Sequence, residues 1–420
     1  MARFLYTLVF HLLLPLVLVR LLWRSLRAPA YRQRWLERFG LGVPAQTGGL
    51  WVHAVSVGET LAAVPLIDAW RKAHPGEPVL VTTMTPTGSA RVRALWGNDV
   101  NHCYAPYDLP WAWRLFYRKV RPQVLVIMET ELWPNMLAAA KSRGIPAILA
   151  NARLSERSAR GYGRAAWLSR PMLQGLSCVA AQDEAAVARF LGLGVAAERV
   201  QVTGSIKFDF SVPDGLLEQA THLHQQWQLK GRQVLVAAST HEGEDALILS
   251  AFKQLQEYFP TALLILVPRH PERFDSVARL VVDQGLALAR RSQHQEVSSG
   301  VAVFLGDSMG ELLLWYALAD VAFVGGSLVP VGGHNMLEPI ALDVPTLSGP
   351  HVFNFQTIAD ELVAAGALKL VEASGLASAV QQLLQAPELA RQQASAGHEV
   401  MQRNRGALHR QLLLIEQATL

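Results

Sequence analysis

The sequence predicts an α/β protein with two doubly wound domains in tandem. Strand-like apolar runs alternate with helix-like segments, which is typical of parallel sheets with helices on both faces. The alternation stops at a polar stretch near residues 209–232 and then starts again. The predicted strands are 50–55, 79–84, 124–129, 147–152, 178–182 and 200–205, followed by 233–239, 262–268, 301–307, 321–327 and 345–349. We therefore predict Rossmann-like domains at 41–210 and 232–420, joined by a linker at 211–231.

The composition supports large folded domains. The chain has 420 residues, of which 51% are hydrophobic and 17% are charged. This length suggests two or three domains, and this balance excludes a disordered chain. The two cysteines, Cys103 and Cys178, can form no disulfide framework and lie in no metal-ligand spacing. A reducing compartment fits this usage.

The N-terminal segment, residues 1–40, is both apolar and basic. Residues 4–19 are nearly all apolar, with His11 and Pro15 as interruptions, and counting past Arg20 to Trp23 gives a run of 20 residues. A membrane-spanning helix needs about 20 apolar residues, and shorter helices lie in the interface. The segment holds seven arginines and one glutamate, a net +6, although the whole chain carries only +4. The basic charge thus indicates a membrane surface and argues against nucleic acid as a partner.

Two alternatives remain for this segment. It either spans the membrane or lies flat in the interface, and the sequence does not choose. A cleaved signal peptide is the competing interpretation, with Ala28-Pro29-Ala30 as its cleavage site. Arg20, Arg24 and Arg27 precede that site and disfavour cleavage, so we predict a signal anchor. The arginines after the apolar run predict that everything beyond residue 40 is cytoplasmic.

The unusual sequences of the chain follow the predicted strands. In open α/β sheets, ligands bind outside the carboxyl ends of strands. Two domains that each present such loops suggest a cleft between them, where a two-substrate enzyme would work. The segments are SVGET, TTMTPTGS, METELWPN, NARLSERS, TGSIKFD, STHEGE, VPRHPERF, GDSMGEL and GGSLVPVGGHNMLEP.

Two of these segments carry carboxylates. Glu59, in HAVSVGET, falls in the first turn of a predicted helix, where acidic residues are common because of the helix dipole. It is either a helix-start residue or a base that faces a substrate. Glu129 and Glu131 flank one residue at a strand end. They could bind a metal ion, but a structural or substrate-contacting role is favoured.

The second half of the chain has features of a phosphate site. Gly325-Gly326 and Gly332-Gly333 lie beside predicted helix starts, where backbone N–H groups can approach an anion. Lys207 and Arg269 are cations at strand ends, with surface ion pairs as the alternative. Asn335 and Glu338 are spaced to share one helix face, and capping by Asn335 is the alternative. The chain lacks a P-loop, and the G-x-G-x-x-A at 161–166 follows no strand, which argues against NTPases and hydride-transfer enzymes.

Taken together, these motifs resemble one family. HAVSVGET, TTMTPTGS, METELWPN, NARLS, TGSIKFD, VPRHPERF, MGEL and GGHNMLEP occur in the order seen in the 3-deoxy-D-manno-octulosonic acid (Kdo) transferases of lipopolysaccharide assembly. The resemblance extends from the N-terminal anchor to about residue 360. It implies an inverting GT-B glycosyltransferase on the cytoplasmic face of a Gram-negative inner membrane. The implied donor is CMP-Kdo, the implied acceptor is the lipid A precursor lipid IVA, and no metal or other cofactor is implied.

The resemblance also implies residue roles. Glu59 would be the general base, with an ordinary pKa near 4.3 that the helix dipole keeps low. Lys207 and Arg269 would stabilise the leaving phosphate, helped by backbone N–H groups near Gly310 and Gly333, and Glu129 or Glu131 would assist the transition state or hold the sugar. The implied CMP-binding residues are Pro268, Arg269, Met309, Gly310, Glu311, Asn335, Met336, Leu337 and Glu338.

Two other hypotheses remain open at this point. The chain could be another GT-B enzyme, such as a lipid A disaccharide synthase or a heptosyltransferase. It could also be a membrane-tethered nucleotide-binding scaffold without catalysis. The role of Glu59 discriminates between a scaffold and an enzyme.

Overall fold

The computed structural model describes residues 2–210 and 212–419, and Arg27 by its backbone only. The chain divides into two compact units, Met1–Asp209 with Asn404–Leu420, and Phe210–Arg403. Each unit contains one seven-stranded sheet whose strand pairs are all parallel. The predicted fold class, two doubly wound α/β domains, is therefore confirmed.

The first sheet has the order β4-β3-β2-β6-β7-β8-β9, and β1 pairs with β5 in a separate two-stranded ribbon. The strand order reverses between the central strands β2 and β6. The carboxyl ends of these two strands therefore form a topological switch point. Loops at such a point separate and leave a crevice for ligands. The strands are β1 (Gln46–Thr47), β2 (Leu50–His53), β3 (Val79–Thr83), β4 (Asn101–Tyr104), β5 (Val120–Arg121), β6 (Val124–Met128), β7 (Ala147–Ala152), β8 (Cys178–Ala181) and β9 (Val200–Val202).

Helices cover both faces of this sheet because alternate strand residues point to opposite sides. Trp51 belongs to the core under the helices α4, α5, α7 and α8, whereas its neighbour Val52 belongs to the core under α2 and α3. The helices are α1 (Ala2–Arg27), α2 (Val57–Ala73), α3 (Pro86–Trp96), α4 (Pro110–Lys119), α5 (Pro134–Lys141), α6 (Glu156–Arg164), α7 (Ala166–Leu173) and α8 (Glu184–Gly192).

The second sheet has the order β12-β13-β11-β10-β14-β15-β16, with its switch point between β10 and β14. Its strands are β10 (Val234–Thr240), β11 (Leu263–Pro268), β12 (Leu288–Arg290), β13 (Val303–Leu305), β14 (Val321–Val324), β15 (Thr346–Ser348) and β16 (Leu368–Leu370). Its helices are α9 (Leu216–Gln226), α10 (Glu244–Gln256), α11 (Phe274–Asp283), α12 (Leu312–Tyr316), α13 (Leu337–Ile340), α14 (Gln356–Ala364), α15 (Leu376–Gln385) and α16 (Pro387–Asn404).

The segment 211–231, predicted as a linker, is part of the second unit. Leu216–Gln226 forms α9, and the following Trp227 is buried with its ring centroid 4.6 Å from that of Phe304 and 6.1 Å from that of Trp315. Several of the polar residues that suggested a linker are exposed on this helix, namely Glu218, Gln219, Gln225 and Gln226. One buried tryptophan therefore anchors a segment whose composition looks like a loop.

The C-terminal boundary also differs from the prediction. Helix α17 (Ala407–Thr419) packs in the first unit, where Ala407 and Ile415 join the core formed with α2 and the sheet. Both carboxylate oxygens of Asp209 accept hydrogen bonds from the start of this segment, at Gly406 N (3.1 Å) and Leu408 N (2.8 Å). The second domain therefore ends before residue 404 and not at residue 420.

Helix α1 packs along the first unit through one face only. Phe10, Leu14, Val17 and Leu18 contact a buried cluster that includes Tyr107 and Leu109. The opposite face is apolar and exposed, and the helix is long and apolar enough to cross a membrane by length and composition. Its exposed large side chains are Phe4, Leu5, Leu8, Val9, Leu12, Leu13, Leu16, Val19, Leu22, Trp23 and Leu26.

The position of α17 gives a prediction. Ile415→Ala removes a fully buried side chain and should destabilise the first unit by about 2–5 kcal/mol. Hydrogen exchange followed by mass spectrometry should show faster exchange in β6, β7 and β8, which α17 contacts, and unchanged exchange in β10–β16. Leu413→Ala, at a position 41% exposed on the same helix, is the matched control and should leave both sheets unchanged. Faster exchange confined to the second sheet would contradict this placement.

Candidate active site

The carboxylate of Glu59 lies at the start of α2, directly after β2. Ser56 is the N-cap of this helix, and its hydroxyl donates to Glu59 Oε1 at 2.7 Å while accepting from Glu59 N at 3.3 Å. The amide of Val55 donates to Oε2 at 2.7 Å. This resembles a capping box, except that the carboxylate at N3 accepts the amide of Val55, which precedes the N-cap residue, and not the amide of Ser56 itself. The helix-start interpretation is therefore correct as a description of structure, but it does not exhaust what the carboxylate can do.

The protonation of Glu59 differs from the prediction. Burial raises its pKa to about 7, opposed by the hydrogen bond from Ser56 and reinforced by the negative charges of Glu131 and Glu129. The expectation of an ordinary carboxylate pKa near 4.3, kept low by the helix dipole, is wrong because desolvation of an 8% exposed side chain outweighs the helix-start interactions. A carboxylate with a pKa near the working pH is well suited to general-base chemistry.

Glu129 and Glu131 follow β6, on the other side of the switch point from Glu59. Glu129 has a left-handed backbone (φ 59°), and its Oε1 is 2.5 Å from the ammonium nitrogen of Lys207. Glu131 accepts a hydrogen bond from the indole of Trp133 at 3.3 Å. Its negative charge also raises the pKa of the Tyr162 phenol, whose oxygen is already desolvated by burial. The structure thus brings Glu59, Glu129, Glu131 and Lys207 to one edge of the first sheet.

The segment TGSIKFD, residues 203–209, is held in place at the carboxyl end of the first sheet by its contacts with α17. Gln411 is buried, and its Oε1 accepts from Asn151 N at 2.9 Å while its Nε2 donates to Thr203 Oγ1 (3.1 Å) and Gly204 O (3.2 Å). Gly204 has φ 80°, and an added Cβ would lie 3.3 Å from Ala407 Cβ. The motif therefore does two things: it holds Lys207 against Glu129, and it docks the C-terminal helix. Sequence reasoning missed Gln411 because its partners are more than 200 positions away.

The predicted nucleotide residues follow neighbouring strands of the second sheet. Pro268 ends β11, and the exposed Arg269 has no side-chain hydrogen bond to any residue of 2–210 or 212–419. After β13, Met309 is 62% exposed and Gly310 has φ 86°, a conformation suited to glycine. Glu311 is bound in two-pronged fashion by Arg291, with Nη2 2.6 Å from Oε1 and Nε 3.0 Å from Oε2. The guanidinium of Arg291 holds the pKa of Glu311 below its usual range.

The third predicted segment, 335–338, follows β14. Asn335 precedes α13, and its side chain accepts from Leu337 N (3.2 Å) and donates to Glu338 Oε1 (3.1 Å). Capping by Asn335 is thus part of its role. Burial raises the pKa of Glu338, opposed by Asn335 and by the positive charge of Arg269. Met336 and Leu337 are buried, so their backbone rather than their side chains would face a ligand.

The backbone amides of the glycine-rich loop are already used. Glu244, fully buried at the start of α10, accepts from Gly326 N (2.6 Å), Ser327 N (2.8 Å) and Leu328 N (2.8 Å). Gly333 N donates to Gly326 O at 2.7 Å. The amide of Gly333 itself is therefore bound within the unit, whereas phosphate stabilisation by other amides near Gly333 stays a prediction. The sequence analysis interpreted STHEGE as a ligand-binding loop and missed that its second glutamate, Glu244, binds the backbone amides of the 326–328 loop.

Comparison with known proteins agrees with the fold. A family model described as 3-deoxy-D-manno-octulosonic-acid transferase (kdotransferase) matches residues 33–210. The 3-deoxy-D-manno-octulosonic acid transferase of Haemophilus influenzae is 43% identical over 99% of this chain and 98% of its own. The transferase of the same description from Bordetella pertussis is 39% identical over 99% of both chains. The crystal structure of MurG from Acinetobacter baumannii superposes with a TM-score of 0.55 at 11% identity, over 88% of this chain and 99% of that one, and shows the same GT-B fold.

Near-complete coverage at this identity leaves one family for the chain. The two relatives match 99% of this chain and 98–99% of their own lengths. The chain belongs to the 3-deoxy-D-manno-octulosonic acid transferase family and is a glycosyltransferase.

Proposed function

We propose that this chain transfers Kdo from CMP-Kdo to lipid IVA, with Glu59 as the general base. The observation that carries the proposal is the placement of a buried carboxylate, with a pKa of about 7, at the switch point of the first sheet. A sugar hydroxyl is a poor nucleophile until it loses its proton, and a positioned base contributes typically about 10²–10⁴-fold to the rate.

The reaction proceeds by inversion at the anomeric carbon of Kdo. The acceptor hydroxyl oxygen forms the new bond, its proton passes to Glu59, and the bond from the anomeric carbon to the phosphate oxygen breaks, so that CMP leaves. Ser56 Oγ and Val55 N orient the carboxylate and leave it free lone pairs for the proton. The Glu129–Lys207 pair, 2.5 Å apart, holds the sugar or assists at the transition state.

Arg269 is the first candidate for the charge that develops on the leaving phosphate. Its guanidinium is exposed and has no partner among the described residues, unlike Arg273, which is bound to Asp245, and Arg291, which is bound to Glu311. An unpaired cation beside the 309–311 and 335–338 segments can bind a phosphate without first losing an ion pair. Pro268, Met309, Gly310, Glu311 and Asn335–Glu338 form the surrounding CMP site.

Helix α1 binds the protein to the cytoplasmic face of the inner membrane. Asn135 Nδ2 donates to Thr7 Oγ1 at 3.0 Å, and the Trp111 indole donates to His11 Nε2 at 3.3 Å. A helix that crossed the bilayer would move these groups away from their partners in the first unit. Its exposed face is continuous and apolar. We therefore infer that α1 lies in the interface plane, with exposed arginines against anionic lipid at about 1 kcal/mol each. These are Arg3, Arg20, Arg24 and Arg32. Arg38 is buried and Arg34 is bound to Glu37, so neither contacts lipid.

Mass spectrometry of lipid IVA after incubation with CMP-Kdo tests the function directly. The protein should add one or more Kdo units, and Glu59→Gln should reduce the rate by about 10²–10⁴-fold while CMP binding persists. Glu156→Gln, at an exposed first-turn position of α6, is the control and should act like the parent chain. Full turnover by Glu59→Gln would assign the base elsewhere. A folded, CMP-binding parent chain that adds no Kdo would make the scaffold hypothesis the better one.

The pH dependence follows from the pKa of Glu59. A base must be ionised, so kcat/KM for the acceptor at saturating donor should rise with pH and level off above about 7. Because the Ser56 hydroxyl donates to the ionised carboxylate and lowers this pKa, Ser56→Ala should shift the rise to higher pH. Ser155→Ala, which removes the N-cap of α6, should not shift it. A rise centred near pH 4.5 would show that burial does not control this carboxylate.

The donor site is tested by Arg269. Arg269→Ala should weaken CMP binding by about 1.5–3 kcal/mol, the contribution of a hydrogen bond to a charged group. Isothermal titration calorimetry measures the effect, with Arg279→Ala, an exposed arginine on α11, as the matched control. Unchanged affinity in Arg269→Ala would remove Arg269 from the phosphate site.

A further inference from the structure

Three histidines meet at the switch point of the second sheet. His241 follows β10, His270 follows β11 and His334 follows β14, and these three strands are neighbours. The Nε2 atoms of His241 and His334 are 2.8 Å apart, and their rings are nearly parallel at 12°. The His270 ring stands at 86° to that of His241, with the centroids 5.0 Å apart. A nitrogen–nitrogen distance of 2.8 Å is a hydrogen bond, so one of the two nitrogens carries a proton and the other accepts it.

The surroundings keep this pair neutral. Burial lowers the pKa of His334 to about 4, and its electrostatic interactions with the nearby His241, Arg269 and His270 lower it further. Burial also lowers the pKa of His241, with His270, Arg273 and Arg269 acting in the same direction and Glu244 acting against them. The pair therefore lies in a positive electrostatic field and carries no net charge of its own.

The acidic groups of the neighbouring elements are committed elsewhere. Glu244 accepts His241 N at 2.8 Å and the three amides of the 326–328 loop. Asp245 accepts from Thr240 Oγ1 at 2.6 Å and is bound by Arg273. Glu338 accepts from Asn335 and is buried, which raises its pKa. These contacts leave no carboxylate hydrogen-bonded to either imidazole among the described residues, so an anionic ligand is the partner that this positive field lacks.

The glycine loop cannot supply the contacts to such an anion. The amides of Gly326, Ser327 and Leu328 are bound to Glu244, and those of Gly332 and Gly333 donate to Gly326 O at 3.1 and 2.7 Å. The Nε2 of His334 and the Cδ2 of His241 lie only 3.0 and 3.4 Å from where a Cβ on Gly326 would be, so glycine here lets the ring pair pack on the loop. With these five amides bound, the two imidazoles are candidate donors to a phosphate at the carboxyl end of this sheet.

We propose that the His241–His334 pair is a proton-coupled anion site, which takes up one proton when the nucleotide phosphate binds and then donates a hydrogen bond to it. An adjacent anion favours the charged form of an imidazole. The free pair holds two ring protons on four nitrogens. The bound pair holds three, and the third proton comes from solvent, so no other bond changes. Arg269 is positively charged with or without the ligand, whereas the histidine pair becomes positively charged only when the phosphate binds. The inference rests on the proposed CMP site and deepens it.

Calorimetry of CMP binding to the full chain tests the proposal. Titrations at pH 7.5 in two buffers with different ionisation enthalpies give the number of protons exchanged. We expect net uptake of up to one proton, and a Kd that falls by up to about tenfold per unit as the pH is lowered. The phosphate of CMP, with a second pKa near 6, is mostly ionised at this pH. If the small protonated fraction of CMP ionises on binding, protons are released, so the ligand itself cannot cause a net uptake.

Two variants and one control assign the proton. His334→Gln and His241→Gln keep hydrogen-bonding capacity but do not titrate in this range, and each should bind CMP with no uptake and a flat pH dependence. His398→Gln, at an exposed histidine bonded to Asp343, should retain the uptake. Equal heats in both buffers for the parent chain, or uptake that persists in both glutamine variants, would overturn the inference while leaving the CMP site intact. Absence of any CMP binding would overturn the CMP site as well.

Discussion

The helix after the first central strand of each sheet begins with a buried glutamate, and the way each carboxylate is satisfied determines what its unit can do. Glu244 accepts four backbone amides, from His241, Gly326, Ser327 and Leu328. It is thereby a structural anion that fixes the loop after β14. Glu59 accepts one amide and one hydroxyl. Because burial is less fully compensated there, its pKa rises to about 7. The same position in two similar sheets thus holds a fully satisfied structural anion in one and, in the proposed function, the general base in the other.

The sequence was sufficient for the features that depend on local pattern. Strand and helix periodicity located the central strands of both sheets, and motifs placed Glu59, Glu129 and Arg269 at carboxyl ends. Sequence reasoning missed elements whose signal is long-range. Helix α17 belongs to the first unit because Gln411 bonds Asn151 across 260 positions. No periodicity reports such a contact. The strands β4, β12 and β16 were also missed. They lie at sheet edges and have only three or four residues each, which is too short for a recognisable apolar run.

The glycine-rich loop shows why composition can mislead about chemistry. Glycines beside a helix start are typical of phosphate loops, in which free amides meet an anion. Here the amides of Gly326 and Gly333 are bound within the unit, and α13 has only four residues. The glycines serve close packing instead, since a Cβ on Gly326 would lie 2.7 Å from the His334 ring. What the sequence could not reveal is that a glutamate 82 positions away already occupies the anion site.

Burial at the two switch points also explains the protonation of both sites. Desolvation favours the neutral form of any titratable group, so it raises the pKa of an acid and lowers that of a base. Glu59 is accordingly half protonated near pH 7, and the His241–His334 pair is neutral. A higher pH favours the base, whereas a lower pH favours an imidazole that must gain a proton with its anion. The two requirements overlap only near neutrality. A neutral pair costs less free energy to bury than a charged one. In the proposed coupling, the second cation therefore forms only when the phosphate of the donor is present to stabilise it.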